Sequence, residues 1–218
     1  NLPDLATKYA SLENILFART DLYFAGWGYG MRVGGPVTPE TLARYKIDTL
    51  VLTESCIRVN RQKYSRATIS LLFDDFLRLG KVFNQQKQAE QIIQQWNKRI
   101  EYAQQLVQPK EPLNVFLYDS GKDKPLTAGK FAMPSAFIEL LGSKNIMDDL
   151  PNSWSHTSWE VVAIRQPELI ILVDYVSKNS IQNAQHFLEN HPVMKHTPAV
   201  KNRRYVVLSY AEITPGPS

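Results

Sequence analysis

The side chains best suited to chemistry in this sequence fall where buried strands are expected to end. Gly26-Trp27-Gly28-Tyr29-Gly30 follows an apolar run at 21–25, and Thr53-Glu54-Ser55-Cys56 follows another at 49–52. Tyr118-Asp119-Ser120-Gly121 follows 114–117, and Asp174-Tyr175 follows 169–173. Open α/β sheets bind ligands at the carboxyl ends of their strands. Aromatic rings beside carboxylates and hydroxyls suit a flat or aromatic-decorated polar ligand. The loop after Gly121 adds Lys122, Lys124, Thr127, Lys130, Phe131 and Met133, and Trp154 follows further on. The glycine-rich stretch at 26–30 also reads as a plain turn whose aromatics pack against their own lobe. It is no phosphate loop, because it lacks the glycine spacing and the following helix start.

The same inventory argues against several reactions. His156, His186, His191 and His196 are scattered, with no paired histidines on a helix face and no CxxC, so a protein-ligated metal is not expected. No G-x-S-x-G elbow is present, and Cys56 has no nucleophile signature around it. Asp148 and Asp149 could be imagined as a catalytic pair, but adjacent loop acids are usually solvated or capping.

The elements that must hold these groups are organised around a long helix. Between 84 and 107 the residues Ala89, Ile92, Ile93, Trp96, Ile100 and Ala103 recur every three or four positions, with polar residues elsewhere. That spacing predicts one buried stripe. Pro109 ends a rod of roughly 35 Å, long enough to cross between globular units. On either side lie two similar stretches, SLENILFARTDLYFAGWG at 11–28 and SWEVVAIRQPELIILVDY at 158–175. Aligned without a gap, Ser11 meets Ser158, Glu13 meets Glu160, Ile15 meets Val162 and Leu22 meets Leu169. Each reads as a capped helix, a turn and an apolar strand, followed by a polar helix and a second strand. Residues 39–45 and 49–52 supply that second pair in one copy, 179–189 and 204–208 in the other. Such a pattern is generic enough for chance, but it favours two similar α/β lobes joined by a helix. A further helix is expected at 70–79, with Gly80 as its C-cap.

Composition sets outer bounds. The 218 residues can bury a real core, with 44% hydrophobic and 21% charged residues, ordinary values for a globular protein. A net charge of +4 without a Lys/Arg run offers no nucleic-acid footprint. One cysteine rules out an intrachain disulfide and leaves the compartment open. No apolar stretch is long enough to span a membrane, and none resembles a signal peptide. Asn1 is not a natural start, so a processed or trimmed piece is expected.

Taken together, the segments resemble the class III periplasmic solute-binding proteins of ABC transporters, the group that binds vitamin B12, haem and ferric siderophores. The resemblance covers nearly the whole chain. SLENILFARTDLYFA is similar to the family's helix followed by a PDLVIA-like strand. LRLGKVFNQQKQAEQIIQQW is similar to its backbone helix, IELLGSKNIMDD to its GG-x-N turn, and AVKNRRYVVL to its AVK-N-R-VY strand. The stretch YDSGKDKPLTAGKFAMPSAFIELLG and the TSWE segment look most like iron-chelate, cobalamin or deazaflavin-precursor binders. The resemblance implies an α/β fold of two similar lobes joined by one rigid helix, a ligand cleft between lobes and little hinge closure. The lobes would be 1–83 and 109–218, with 84–108 as the connector.

It further implies a non-enzymatic, monomeric carrier with no cofactor of its own, periplasmic or lipid-anchored outside the cytoplasm. Such a carrier captures an iron-siderophore, haem, cobalamin or similar chelate, whose iron or cobalt belongs to the cargo, and hands it to a membrane permease. Trp27, Tyr29, Tyr118 and Trp154 would stack on the ligand, and Thr53, Glu54, Ser55, Asp119 and Lys130 would hydrogen-bond it. Phe131, Met133 and Tyr175 complete the expected site. Glu40 matches the acid that the permease reads on the first lobe; the corresponding helix of the second lobe, beginning Ser177-Lys178-Asn179, offers none before Glu189. Family members carry further residues ahead of the match, so the first lobe is expected to be incomplete at its start and the C-terminal helix after Pro217 to be cut. Two rivals remain at this point: a two-lobed α/β enzyme around a bound cofactor, and a sensor or interaction domain reusing the binding fold.

Overall fold

The computed structural model describes residues 4, 6, 9–26, 35–53, 64–107, 111–175 and 180–213. Two compact units make up the chain, Asn1–Tyr64 and Ser65–Ser218. Both are α/β.

In the first unit, α1 (Leu12–Phe17) leads to β1 (Leu22–Ala25), and α2 (Pro39–Arg44) leads to β2 (Asp48–Val51). The two strands run parallel, with Leu22 opposite Asp48. Ile15, Ala25, Val37, Leu42 and Ile47 form the core beneath them. Thr38 caps α2 by accepting the Thr41 N–H, with Pro39 at the first helical position where no N–H is needed.

The second unit opens with α3 (Ile69–Val82) and α4 (Gln86–Leu106). Along α4 the predicted stripe is what is covered: Ala89 is buried, Ile92, Ile93, Trp96, Ile100 and Ala103 are half-buried, and every other residue is exposed. It packs on α3, where Phe76 meets Trp96 edge-on at 4.5 Å and Phe73 lies at 6.1 Å. Gly80 is not the C-cap of the preceding helix. The helix runs through it to Val82, is capped by Phe83, and Asn84 takes the left-handed turn at φ 54°. The glycine serves close approach, since a Cβ there would sit 2.7 Å from the Ala89 Cβ. Gly80→Ala is expected to lower stability by about 1 kcal/mol, because overpacking outweighs the gain in helix propensity. Urea denaturation of the variant, alone and combined with Ala89→Gly, checks this. On its other side α3 lays Leu71 and Leu72 against Ala67, Met133 and Ala136. Those contacts lie within the second unit.

Beyond the helical pair come β3 (Asn114–Tyr118), β4 (Leu126–Ala128), α5 (Met133–Leu140), β5 (Lys144–Asn145) and β6 (Trp154–His156). Then follow α6 (Trp159–Ile164), β7 (Leu169–Asp174), α7 (Ser180–Asn190), a 3-10 turn at Met194–His196, α8 (Pro198–Lys201), β8 (Tyr205–Ser209) and α9 (Tyr210–Ile213). A four-stranded sheet has the order β5-β3-β7-β8, every pair parallel. Its main core joins Phe116, Tyr118, Trp159, Val162, Ile170, Leu172, Leu188 and Met194. A small antiparallel ribbon of β4 and β6 lies beside the sheet.

The internal repeat holds bond by bond. Ser11 and Ser158 both cap their helices, accepting from Asn14 N–H and Val161 N–H. The bonds Ile15 N to Ser11 O and Ala18 N to Asn14 O recur as Val162 N to Ser158 O and Arg165 N to Val161 O. Both helices stop at a left-handed residue, Arg19 at φ 51° and Gln166 at φ 49°. The second half of the repeat is paired differently from the sequence alignment. The counterpart of α2 is α8 rather than α7: each opens Thr-Pro and ends in a left-handed residue, Lys46 or Arg203. Each also closes with the same long turn bond, Ile47 N to Leu42 O and Arg204 N to Ala199 O. No helix among the described residues is long and apolar enough to cross a membrane.

Candidate functional site

Parallel pairing of β3 with β7 sets Tyr118 opposite Leu172, so both strands end at one edge and deliver Asp119 and Tyr175 side by side. The Tyr175 hydroxyl donates to Asp119 Oδ1 at 2.6 Å, and the Ser120 hydroxyl donates to Asp119 Oδ2 at 2.8 Å. Asp119 is 9% exposed. Parallel pairing of β7 with β8 adds Tyr210, whose ring stacks on Tyr175 with centroids 5.1 Å apart and planes 28° from parallel. Ser180, at the start of α7, donates to Asp174 Oδ1 at 2.8 Å. Under this edge lies a cavity of about 220 Å³ lined by Tyr118, Asp119, Ser120, Gly121, Lys122, Leu172, Val173, Tyr175, Ser180, Asn183, Ala184 and Phe187.

Burial, the hydrogen bond to Asp119 and that carboxylate's charge all hold the Tyr175 phenol above its ordinary range. A raised folded value means that its stabilising contribution is complete below the usual tyrosine pKa of about 10 and is lost as pH climbs beyond it. Melting temperature is therefore expected to fall on the alkaline side in the wild type. Tyr175→Phe should flatten that limb, as a melting series from neutral to strongly alkaline pH will read.

The other predicted site residues lie in several places. Tyr118 is turned inward: it is 7% exposed, edge-on to Trp159 at 5.1 Å, with its hydroxyl donating to the Gly121 carbonyl. Burial and the neighbouring Asp119 charge raise its phenol. Phe131 is buried, and the Lys130 ammonium lies over its ring, 5.0 Å from the centroid. Met133 is buried against Ala67 and Ala136. Trp154 is half-buried against Leu117, Ala128, Ala132 and Val173. In the first unit, Thr53 is buried just past β2. Glu40 is exposed in the first turn of α2, where its backbone hydrogen bond and the Thr38 hydroxyl hold the carboxyl below its usual range. Trp27, Tyr29, Glu54, Ser55 and Cys56 lie outside the described residues.

Three functional candidates escaped sequence reasoning. Tyr210 stands just past β8, an aromatic at one more strand end, and Ser180 and Asn183 come from a helix start that carries no strand pattern. The adjacent acids Asp148 and Asp149 are both paired with arginines. Asp148 pairs with Arg66 at 2.7 Å, and Asp149 takes a forked pair from Arg165 that holds its carboxyl low. Among the described residues no group of His, Cys, Asp and Glu gathers as metal ligands would.

Comparison with known proteins agrees with this architecture. The family model described as "Periplasmic binding protein" matches residues 9–211. The chain is 30% identical over 179 residues to the vitamin B12-binding protein of Pectobacterium atrosepticum, covering 81% of this chain. It spans 58% of that relative's length. A periplasmic binding protein from Veillonella parvula superposes with a TM-score of 0.82 at 23% identity, over 99% of this chain and 71% of that one. An ABC-type Fe3+-hydroxamate transport system protein from Saccharomonospora viridis superposes with a TM-score of 0.74 at 19% identity, over 100% of this chain and 70% of that one. This chain belongs to the periplasmic binding protein family.

Proposed function

We propose that the chain is the solute-binding component of an ABC importer, capturing a cobalamin, haem, iron-siderophore or similar chelate and handing it to a membrane permease. The observation that carries the reading is the rim of the second unit, where neighbouring parallel strand ends deliver Asp119 and Tyr175 to an open cavity and Tyr210 to a stack on Tyr175. A stacked tyrosine pair next to a carboxylate is a binding surface for flat polar matter. The B12-binding relative supports the cargo class, and the hydroxamate protein of the same fold is compatible with it. Asp148 and Asp149, the adjacent acids that could be imagined as a catalytic pair, are tied to Arg66 and Arg165, which fits a binding rather than a catalytic role. The protein acts outside the cytoplasm, periplasmic or lipid-anchored, as a monomer. Glu40, exposed and held ionised, is the first unit's contact for a basic permease surface.

A thermal-shift panel tests the reading. A ligand at a hundred times its Kd stabilises the folded form by about 2.7 kcal/mol. Cobalamin, haem or a ferric hydroxamate is expected to raise the melting temperature by several degrees, and a flat response to all three would count against the proposal.

A further inference from the structure

Asp119 is an acid in an unusual position. It is 9% exposed, yet its hydrogen-bond partners are the neutral hydroxyls of Tyr175 and Ser120, and no ion pair among the described residues includes it. Among the described residues the other buried acid, Asp75, has Arg78 at 2.9 Å. A buried carboxylate with neutral partners keeps lone pairs free and a charge uncompensated, a cost normally relieved by a cation or a further donor. Asp119 also lines the cavity, whose apolar lining includes Leu172, Ala184 and Phe187. Lys122 stands exposed at its border. At about 220 Å³ the cavity is smaller than the roughly 300–1,000 Å³ that encloses a whole drug-sized ligand. It suits one arm of a larger molecule.

We infer that this cavity is a specificity subsite that takes a short arm ending in an N–H donor, a primary amide or an ammonium, and rejects a carboxylate-ended arm. The inference rests on the solute-binding reading and sharpens it to a chemical class. The arm's apolar stem lies against Leu172 and Ala184, and its terminal N–H groups reach the free lone pairs of Asp119. A carboxylate in the same place would face Asp119 with like charge.

Isothermal titration of the full chain with two matched pairs tests this. The first pair is dicyanocobinamide, a corrin with primary-amide arms, and dicyanocobyrinic acid, the same corrin with carboxylate arms. The second is ferrioxamine B, with a free ammonium arm, and its N-succinyl derivative, which ends in a carboxylate. In at least one pair the donor-armed member is expected to bind roughly tenfold tighter or more, a modest share of what like-charge contact costs. The pair that shows the gap identifies the arm as amide or ammonium. Asp119→Asn keeps the shape and should shrink the gap to within about threefold. The wild-type comparison decides even if that variant folds poorly. Equal binding within both pairs, tighter binding of a carboxylate member, or a gap unchanged by Asp119→Asn would overturn the subsite. Binding of haem alone would do so too while leaving the binding-protein reading in place, whereas binding of no chelate would remove both.

Discussion

Trp159→Ala is expected to destabilise the second unit by about 3–5 kcal/mol, the range for removing a large buried aromatic. The ring is 3% exposed and is the hub of the main core, with Tyr118 at 5.1 Å, Phe187 at 5.4 Å, His191 at 5.1 Å and Phe116 at 6.3 Å. Its indole N–H also donates to the Lys122 carbonyl at 2.6 Å, which ties the loop after β3 to the start of α6. A loss this size approaches the whole stability of many domains, so the variant should show broadened or absent cooperative unfolding in denaturant. Trp159→Phe separates the two roles. It keeps most of the packing, loses the loop's anchor, and should cost about 1–2 kcal/mol.

The second large effect is expected at Asn145. This side chain is 3% exposed and fully engaged: Nδ2 donates to the Ala128 carbonyl at 2.8 Å and to Ser135 Oγ at 2.7 Å, and Oδ1 accepts from the Met147 N–H at 2.9 Å. Ser135 in turn donates to the Gly129 carbonyl. One amide thereby knots β4, α5 and the loop after β5 together. Asn145→Ala strands a buried carbonyl and a buried N–H, at about 1–3 kcal/mol each, so a loss of about 3 kcal/mol or more is expected in urea titrations. Asn145→Asp keeps the size and the acceptor but loses both donors and buries a charge. It should be at least as damaging at neutral pH, which would show that donor chemistry rather than volume is what the site requires.

Both residues sit in segments whose order along the chain was readable before any coordinates, the TSWE stretch and the GSKNIMDD turn. The repeat around Ser11 and Ser158 was legible for a physical reason: caps, apolar spacing and helix stops are local, so two copies carry the same local marks. The stripe of α4 was legible because a helix of that length repeats its pattern several times. What the sequence concealed depends on distant partners. Strands β4 and β6 are three residues each, too short for any alternation to show, and exist through each other. Gly80 looked like a helix stop because a glycine's second use, letting Ala89 approach, depends on another helix. Asp148 and Asp149 looked like a free pair because Arg66 and Arg165 lie far from them in the chain.

The candidate site was legible as a set of strand ends but not in its parity. Side chains alternate across a strand, so Tyr118 faces the Trp159 core while its neighbour Leu117 faces the cluster around Ala128 and Val173. Nothing local says which of two adjacent residues turns inward. Tyr175 escapes the alternation by standing just past β7, 47% exposed, free to stack on Tyr210.

The central claim is that this chain holds a chelate or cofactor-like solute. Native mass spectrometry of the protein purified from its own host tests it most directly. The account predicts a tightly held small molecule in a one-to-one complex, released on denaturation and identifiable by its mass and metal content. Protein that carries nothing, and that gains no bound mass when offered cobalamin, haem or a ferric hydroxamate, would contradict it.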